Sequence, residues 1–347
     1  MKKFVTLTFL LFSFISLFSC GHESDLLEEY LIEIERPDSS SISPKDTTNI
    51  PPKDSTYIPK DTTTNNGQGT TNKDTIYCSY EKYMNISTSY GIGQGGACYD
   101  KFFFQGYSNN AAIGIFDLEK KVCLGKIDIS EPTPSSTIHV NTMNFGSQKY
   151  NKNDFFPLLY ISSGYTKNVD NKTLSFIYVY RIIRDSKTEA FTATLIQTIS
   201  LNGFGTWTEG ILDNDHDILW IKYEPNSSGG EYRYASFNVP KYESGDIILN
   251  KEDYLTDFTL GIQPFTSSNQ GYIYYKDKLL LVSGTSATTQ KLAFIVINLK
   301  TQTRELVIDL SEIGLRSEPE NLFFYKDQLM IGYRNAIYKF NVRYLNN

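Results

Sequence analysis

Short runs of alternating apolar and polar residues fill the chain from about residue 76 to its C-terminal end. Gly, Asn and Asp interrupt these runs at short intervals, and no stretch shows the 3.6-residue apolar period of a helix. Aromatic residues make up 14% of the chain, which suits β-strands because a pleated face accepts large rings. The pattern predicts an all-β domain over residues 76–347.

One sequence unit recurs within this region. Each copy starts with a polar residue, usually followed by a small or polar one, and continues as a strand, a charged turn and a second apolar strand. The turns in YYKDKLLLV and FYKDQLMIG are the most alike. The copies start at Gln94, Asn141, Glu209, Gln270 and Glu320, separated by 47, 68, 61 and 50 residues. Radial packing of such units leaves few strand edges exposed, so we predict a five-bladed β-propeller.

The blade boundaries follow from these starts. The predicted blades span approximately residues 94–130, 139–200, 207–250, 268–311 and 318–345. The last unit has only about three strands of its own, so we predict that residues 76–84 supply its outer strand and close the ring. The second and third units are long, which leaves a sixth blade within one of them as the alternative.

The segment DNDHD at residues 213–217 admits two interpretations. Its carboxylates stand at the first, third and fifth positions and Glu224 at the twelfth, which is the ligand spacing of a calcium loop. Ile218, however, stands where that loop needs glycine for its sharp bend. The segment also occupies the slot of the charged turn in the other units. We interpret it as a hairpin turn and expect no metal there.

The first twenty residues have two lysines followed by mostly apolar positions, the layout of a secretory signal. They end in Leu17-Phe18-Ser19-Cys20, which resembles a bacterial lipobox. This resemblance implies removal of residues 1–19 and lipidation of Cys20, for example with palmitate. The acids that follow Cys20 resemble, loosely, the surface-export signals of Bacteroidetes lipoproteins. We therefore expect lipid anchoring to the outer membrane, on the cell surface or the periplasmic face; an ordinary cleaved signal is the alternative.

Residues 20–75 differ in composition from the rest of the chain. PKDTTNIP is followed directly by PKDSTYIP, and such Pro/Thr/Asp-rich sequence has too little apolar surface to offset the entropy lost on folding. We expect a disordered tether. Four Asp-Ser/Thr-x triplets in it resemble the O-glycosylation acceptor of Bacteroidetes, which makes Thr47, Ser55, Thr62 and Thr75 candidate sites. The alternative is that Asp and Thr simply dominate this segment.

Charge and cysteine content narrow the possible partners and chemistry. The net charge is −6, and loss of Lys2 and Lys3 with the signal would make it −8. An acidic chain without basic clusters is a poor ligand for nucleic acid. Beyond Cys20 the chain has Cys78, Cys98 and Cys123, so at most one disulfide forms, with Cys98 pairing either of the others. No spacing predicts a zinc site.

The leading residues of the five units are the candidate site. In a propeller the first strand of each blade lines the central channel, so these residues should meet at one opening. The predicted ring consists of Gln94, His139, Asn141, Glu209, Gln270, Glu318 and Glu320. Amides and carboxylates beside aromatic rings such as Trp207 and Tyr223 suit a sugar-binding pocket. Such groups can also form hydrogen bonds between blades or hold water in the channel. The sequence therefore leaves both a binding role and a structural role open for the ring.

Three short motifs that open units carry a family resemblance. They are Gln94-Gly95, His139-x-Asn141 with Phe145-Gly146, and Glu318-Pro319-Glu320. With them, residues 94–345 resemble the β-propeller family that includes teichoic-acid biosynthesis protein C and certain phage receptor-binding propellers. The resemblance implies a propeller with a polysaccharide-related role, and no catalytic motif carries over.

Function remains open between three classes. The chain has no GxSxG, HExxH, P-loop or helix-opening GxGxxG sequence, and we expect no cofactor. The leading hypothesis is a non-catalytic outer-membrane lipoprotein whose propeller binds a glycan or a partner protein. The alternative is a polysaccharide hydrolase or lyase that uses Glu209 and Glu320 as an acid/base pair. The third is a structural subunit of a surface complex.

Overall fold

A computed structural model describes residues 78–86, 89–108, 111–129, 139–170, 172–205, 207–225, 231–262, 269–285 and 292–346. All of these residues lie in one compact unit of the chain, Ser55–Asn347. The predicted signal peptide, the lipidated Cys20, the tether and the candidate glycosylation sites Thr47, Ser55, Thr62 and Thr75 lie outside the described residues. Those assignments stay predictions.

In the part of the chain that the structure describes, twenty-one strands form five separate sheets. The first strand is β1 (Cys78–Asn85). Blade 1 contains β2 (Gly93–Tyr99), β3 (Phe102–Tyr107), β4 (Ala112–Asp117) and β5 (Val122–Asp128). Blade 2 contains β6 (Val140–Phe145), β7 (Leu159–Val169), β8 (Lys172–Arg184) and β9 (Phe191–Asn202). Blade 3 contains β10 (Glu209–Asp213), β11 (Ile218–Tyr223), β12 (Glu231–Asn238) and, after the intervening β13 (Ile247–Asn250), β14 (Thr256–Ile262).

The last two sheets complete the set. Blade 4 contains β15 (Asn269–Tyr275), β16 (Lys278–Ser283), β17 (Ala293–Asn298) and β18 (Thr303–Asp309). Blade 5 contains β19 (Pro319–Tyr325), β20 (Gln328–Tyr333) and β21 (Ala336–Val342). The described helices are three short 3-10 turns, Tyr242–Ser244, Lys251–Asp253 and Arg343–Asn346.

The N-terminal strand closes the last blade, as predicted. β1 pairs antiparallel with β21, from Cys78 opposite Val342 to Asn85 opposite Ala336, and it becomes the outermost strand of blade 5. Cys78 and Met84 on this strand are buried. The two ends of the domain are therefore held in one sheet, which ties the ring shut.

Tight hairpins join the first two strands of blades 4 and 5. Lys276 and Asp277 have φ angles of 46° and 61°, and Lys326 and Asp327 have φ angles of 49° and 60°. Positive φ at both central residues is the geometry of a type I′ turn, whose twist matches that of the flanking strands. The shared Lys-Asp sequence thus marks the same turn in both blades.

Apolar clusters fill the junctions between neighbouring blades. Among the described residues there is one cluster for each of the five adjacent pairs, including the pair formed by blades 5 and 1. At that closing junction the rings of Phe103 and Phe323 stack with centroids 4.4 Å apart. Five sheets with five interfaces make a closed ring, and the prediction of a five-bladed β-propeller is confirmed.

The predicted boundary of blade 3 at residue 250 is wrong. β13, inside that range, leaves blade 3 and pairs in parallel with β9, with Ile247 opposite Ile199. Blade 2 therefore has five strands. The outer strand of blade 3 is instead β14, which pairs with β12. This excursion, together with the long strands of blade 2, accounts for the length that left a sixth blade as an alternative.

Backbones approach one another closely at the axis of the ring. The inner strands β2, β6, β10, β15 and β19 contact one another in ring order, and β15 also approaches β2 and β6 across the axis. A Cβ atom added to Gly95 would lie 2.5 Å from the carbonyl oxygen of Asn141, and one added to Gly271 would lie 2.5 Å from the Cα of Asn321. Only glycine fits at these two positions.

The three described cysteines are free thiols. Cys78 is buried, Cys98 is half-buried and Cys123 is exposed. The structure therefore contains neither of the two disulfides that the sequence left open.

Candidate functional site

The structure draws the predicted ring residues into the junctions between inner strands. Six of the seven are buried, with at most 9% of the residue exposed, and His139 is half-buried. They meet in three groups, one at the junction of blades 2 and 3, one at that of blades 4 and 5, and one at that of blades 5 and 1. Their role in ligand binding stays a prediction.

Glu209 joins blades 2 and 3. Asn141 Nδ2 donates to one of its carboxylate oxygens and Thr142 Oγ1 donates to the other. Glu209 is fully buried, and burial raises its pKa to about 7 although the nearby ammonium group of Lys222 opposes the change. The carboxyl group is therefore shared between a neutral and a charged form near neutral pH.

Glu318 joins blades 4 and 5 through Gln270, and one arginine of blade 5 holds both Glu318 and Glu320. Gln270 Nε2 donates to Glu318 Oε1 at 2.6 Å. Arg334 donates from Nε to Glu320 Oε1 at 3.0 Å and from its guanidinium to Glu318 Oε2 at 2.5 Å. Burial is the largest cause and the adjacent carboxylate of Glu318 the next, and together they raise the pKa of Glu320 to about 8. The guanidinium of Arg334 acts in the opposite direction.

Gln94 takes part in the third group through its backbone. Its carbonyl oxygen accepts hydrogen bonds from Asn321 Nδ2 at 2.8 Å and from Gln105 Nε2 at 2.6 Å. Asn321 belongs to blade 5 and Gln105 to blade 1, so the contact spans the closing junction. Each group thus links blades, which is the structural role that the sequence left open beside binding.

Trp207 is an exposed aromatic residue near the junction of blades 2 and 3. It lies two residues before the first residue of β10, the inner strand of blade 3, and 44% of the residue is exposed. Its φ of 54° lies in the left-handed region, which is a strained conformation for a bulky side chain and often marks a functional position. The ring stands edge-on to His139, with centroids 6.0 Å apart. Burial lowers the pKa of His139, so this histidine is neutral beside the indole.

Lys222 holds the backbone of Trp207 and was not among the residues predicted from the sequence. This buried lysine lies opposite Glu209 in the pairing of β10 with β11. Its Nζ donates to the backbone carbonyl of Trp207 at 3.1 Å and to Glu224 Oε1 at 3.2 Å. Burial lowers its pKa, against the opposing carboxylates of Glu209 and Glu224. A lysine within the apolar strand ILWIKY was the available signal.

Two further expectations concern residues 213–223. Asp213 Oδ1 accepts the backbone N–H groups of Asp215 and His216, so DNDHD is the hairpin turn that we predicted. Tyr223 is not at the opening; it is buried, and its hydroxyl donates to Asp257 Oδ1 at 3.0 Å. A one-residue difference along the strand turns Tyr223 away from Lys222, because successive side chains of a strand point to opposite faces.

The described ranges also bear on metal binding and on membrane-spanning helices. There, no group of three or more His, Cys, Asp and Glu side chains is arranged to hold a metal ion. No helix within those ranges is long and apolar enough to cross a membrane.

Comparison with known proteins identifies no family. No family description matches the chain, and neither does any curated protein. Among solved structures, hydrazine synthase of Kuenenia stuttgartiensis aligns at 10% identity and a TM-score of 0.37, covering 70% of this chain and 62% of that one. The PQQ-bound aldose sugar dehydrogenase of Streptomyces coelicolor aligns at 10% identity and a TM-score of 0.45, covering 76% of this chain and 98% of that one. The chain spans less than two thirds of the hydrazine synthase chain, and the propeller assignment rests on strand pairing.

The raised pKa of Glu320 predicts a pH-dependent stability. The folded protein keeps a proton on Glu320 up to about pH 8, whereas the unfolded chain loses it near 4.5. Between these values the folded state binds more protons, so the free energy of unfolding falls as pH rises. Glu320→Gln keeps a neutral side chain throughout. We expect thermal unfolding to give equal melting temperatures at about pH 3.5, below both pKa values, and a variant more stable by roughly 4 kcal/mol at about pH 8.5.

Arg334 keeps its charge over this range, so the comparison isolates the titration of Glu320. Melting curves of the two proteins that run parallel from acidic to alkaline pH would contradict the assignment.

Proposed function

We propose that this protein is a lipid-anchored, non-catalytic β-propeller that binds a glycan at the opening of its axis. The observation that carries the proposal is Trp207, an exposed indole in a strained backbone conformation next to the half-buried His139. An aromatic face covers the apolar side of a sugar, while amides and carboxylates take its hydroxyl groups. A partner protein is the other occupant that such an opening admits.

The buried Lys222 and the small Gly164 hold Trp207 in place. Lys222 is buried, which is unusual for a lysine unless it is paired, and one of its donors is used on the Trp207 carbonyl. Gly164 lies under the indole, where an added Cβ would be 3.0 Å from the ring. Pre-organising one large, rigid side chain lowers the entropy lost when a ligand binds.

Burial of the carboxylates disfavours the enzymatic alternative. Raised pKa values of about 7 for Glu209 and 8 for Glu320 would suit general acids. A general acid must, however, reach the oxygen that it protonates, and these residues are 0% and 1% exposed. Glu209 also uses both oxygens on blade 2. We therefore assign these groups to blade joining and the lining of the axis.

The predicted lipid anchor and membrane location complete the proposal. The lipobox at Leu17–Cys20 supports lipidation, and the Pro/Thr/Asp-rich residues 37–75 support an extended tether that presents the propeller away from the membrane. The acidic residues after Cys20 favour a location at the outer membrane. The Asp-Ser/Thr triplets of the tether favour O-glycosylation there.

The two tryptophans allow a matched test of glycan binding. Trp220 is buried, so Trp220→Phe leaves Trp207 as the single emitter, and its fluorescence should change on binding. We titrate wild type, Trp207→Ala and Trp220→Phe with neutral and acidic oligosaccharides by calorimetry. Trp207→Ala should weaken binding by about tenfold or more, a loss of about 1.4 kcal/mol, and Trp220→Phe should bind nearly as wild type. A panel that never binds, or equal affinity of Trp207→Ala, would contradict the proposal.

Membrane attachment is tested with two cysteine variants. Acyl chains contribute about 0.8 kcal/mol per buried CH₂ group, so Cys20→Ser should move the protein from the membrane fraction to the soluble fraction of fractionated cells. Cys123→Ser changes an exposed thiol of the propeller and should leave the distribution unaltered. Retention of Cys20→Ser in the membrane fraction would rule out the lipid anchor.

A further inference from the structure

Two strands of blade 2 continue past the inner strand of that blade. β7 pairs with β6 only as far as Ser163, which lies opposite Val140, the first residue of β6. Beyond that point β7 continues to pair with β8. Residues 164–169 and 172–175 therefore form the two arms of a hairpin that extends beyond the inner strand, which we call the projecting hairpin.

Trp207 lies at the foot of the projecting hairpin. On one arm, a Cβ added to Gly164 would be 3.0 Å from Cζ3 of the indole. On the other arm, Ser175 Oγ donates to the carbonyl oxygen of Gly205 at 2.7 Å, in the loop that leads to Trp207. Since 44% of Trp207 is exposed, a ligand that covers the indole also meets the hairpin.

The two faces of the projecting hairpin differ in chemistry. Leu174 is buried in the apolar cluster between blades 1 and 2. Because successive side chains of a strand point to opposite faces, Thr173 and Ser175 lie on the other face, toward the Trp207 loop. Asn168 is directly opposite Thr173 in the strand pairing, so it shares that face. The face toward Trp207 thus presents an amide and hydroxyl groups.

Asn168 and Thr173 are both exposed. Thr173 Oγ1 donates to Asn168 Oδ1 at 2.9 Å, which orients the amide group. Among the described residues, Asn168 Nδ2 has no hydrogen-bond acceptor, so it can donate to a ligand without breaking an internal hydrogen bond. An oriented donor loses less entropy on binding than a free one. Asn168 is therefore accessible to a ligand, in contrast to the buried carboxyl groups of Glu209 and Glu320.

The distance between the indole and Asn168 sets the length of a ligand that touches both. At about 3.3 Å per residue, the path along β7 from Gly164 to Asn168 is up to about 13 Å long. This span exceeds one sugar ring. A ligand that contacts both Trp207 and Asn168 must therefore contain several sugar residues.

We propose that the projecting hairpin extends the Trp207 site into a binding site for an extended oligosaccharide, with Asn168 as the residue that contacts the sugars beyond the indole. This inference rests on the proposed glycan binding and adds the length of the glycan. The indole covers the apolar face of one sugar. Asn168 Nδ2 donates to a hydroxyl oxygen of a sugar further along the chain. A disaccharide on Trp207 does not extend to Asn168.

Calorimetry with purified full-length protein tests the dependence on ligand length. The ligands are oligosaccharides of glucose, mannose, xylose and galacturonic acid, each as the disaccharide and the hexasaccharide. We expect wild type to bind the hexasaccharide of at least one neutral series about fivefold or more tighter than the disaccharide, the effect of about one further hydrogen bond. Asn168→Ala should lose most of this gain, whereas Trp207→Ala should weaken binding of both lengths.

Two further variants separate a direct contact from an effect on the hairpin. Asn168→Asp keeps the acceptor for Thr173 but removes the donor, so it should lose the gain as Asn168→Ala does. Lys172→Ala is the matched control, because Lys172 is also exposed but lies on the opposite face of the hairpin. It should keep the gain in the neutral series. All three are surface changes, so we expect melting temperatures within about 2 °C of wild type.

The outcomes that would overturn the inference are distinguishable from failure of the proposed function. Equal affinity of wild type for disaccharide and hexasaccharide would reject the extended site and leave glycan binding at Trp207 intact. A gain that survives both substitutions of Asn168, or one that Lys172→Ala also removes, would reject the extended site in the same way. Absence of binding to every ligand by wild type would overturn the proposed function, and the extended site with it.

Discussion

Close backbone approach around one axis is the constraint on which the rest of this structure depends. Where inner strands of neighbouring blades meet, Gly95 faces the Asn141 backbone and Gly271 faces the Asn321 backbone, with no room for a Cβ. Strands this close leave little space for side chains on the axis itself. The polar residue that precedes each small one must therefore find partners across a blade junction, because a buried polar group without a partner is costly.

This constraint divides the polar residues into two kinds. Glu209, Glu318 and Glu320 are held by groups from a neighbouring blade or by Arg334, and they stabilise the ring while remaining inaccessible. Trp207 is different, because it is large, exposed and held in a left-handed backbone conformation. The surrounding contacts of Trp207 include the hydrogen bond from the buried Lys222 to its backbone carbonyl. The buried carboxyl groups thus serve cohesion between blades, and Trp207 carries the binding role that we propose.

Much of the architecture could be predicted because its signals are local. Strand alternation and the repeated Lys-Asp turns lie within short segments, and the five unit starts predicted five blades. The missing fourth strand of the last unit indicated closure by the N-terminal strand. β13 could not be assigned in this way, because its apolar residues do not specify whether they pair with blade 3 or, at Ile199, with blade 2.

The site was predictable only in part, for a related reason. The leading residues of the units were identifiable from the repeat, and the structure draws them together. Lys222 and Arg334 were missed because each stands at the end, or just beyond the end, of a strand that otherwise looks like core. Their importance comes from partners on other segments, since Lys222 holds the Trp207 carbonyl and Arg334 holds Glu318. Sequence periodicity does not show which side chains will meet.

Thermal unfolding of Gly271→Ala, compared with Gly261→Ala, tests the radial packing most directly. Gly261 has a φ of 67° but nothing within 4 Å of an added Cβ, so its variant should lose only the roughly 1–2 kcal/mol of a left-handed backbone conformation. The Cβ of Gly271→Ala would meet the Asn321 backbone at 2.5 Å, and we expect a loss of about 3 kcal/mol or more. Equal melting temperatures for the two variants would contradict inner strands packed backbone to backbone around one axis.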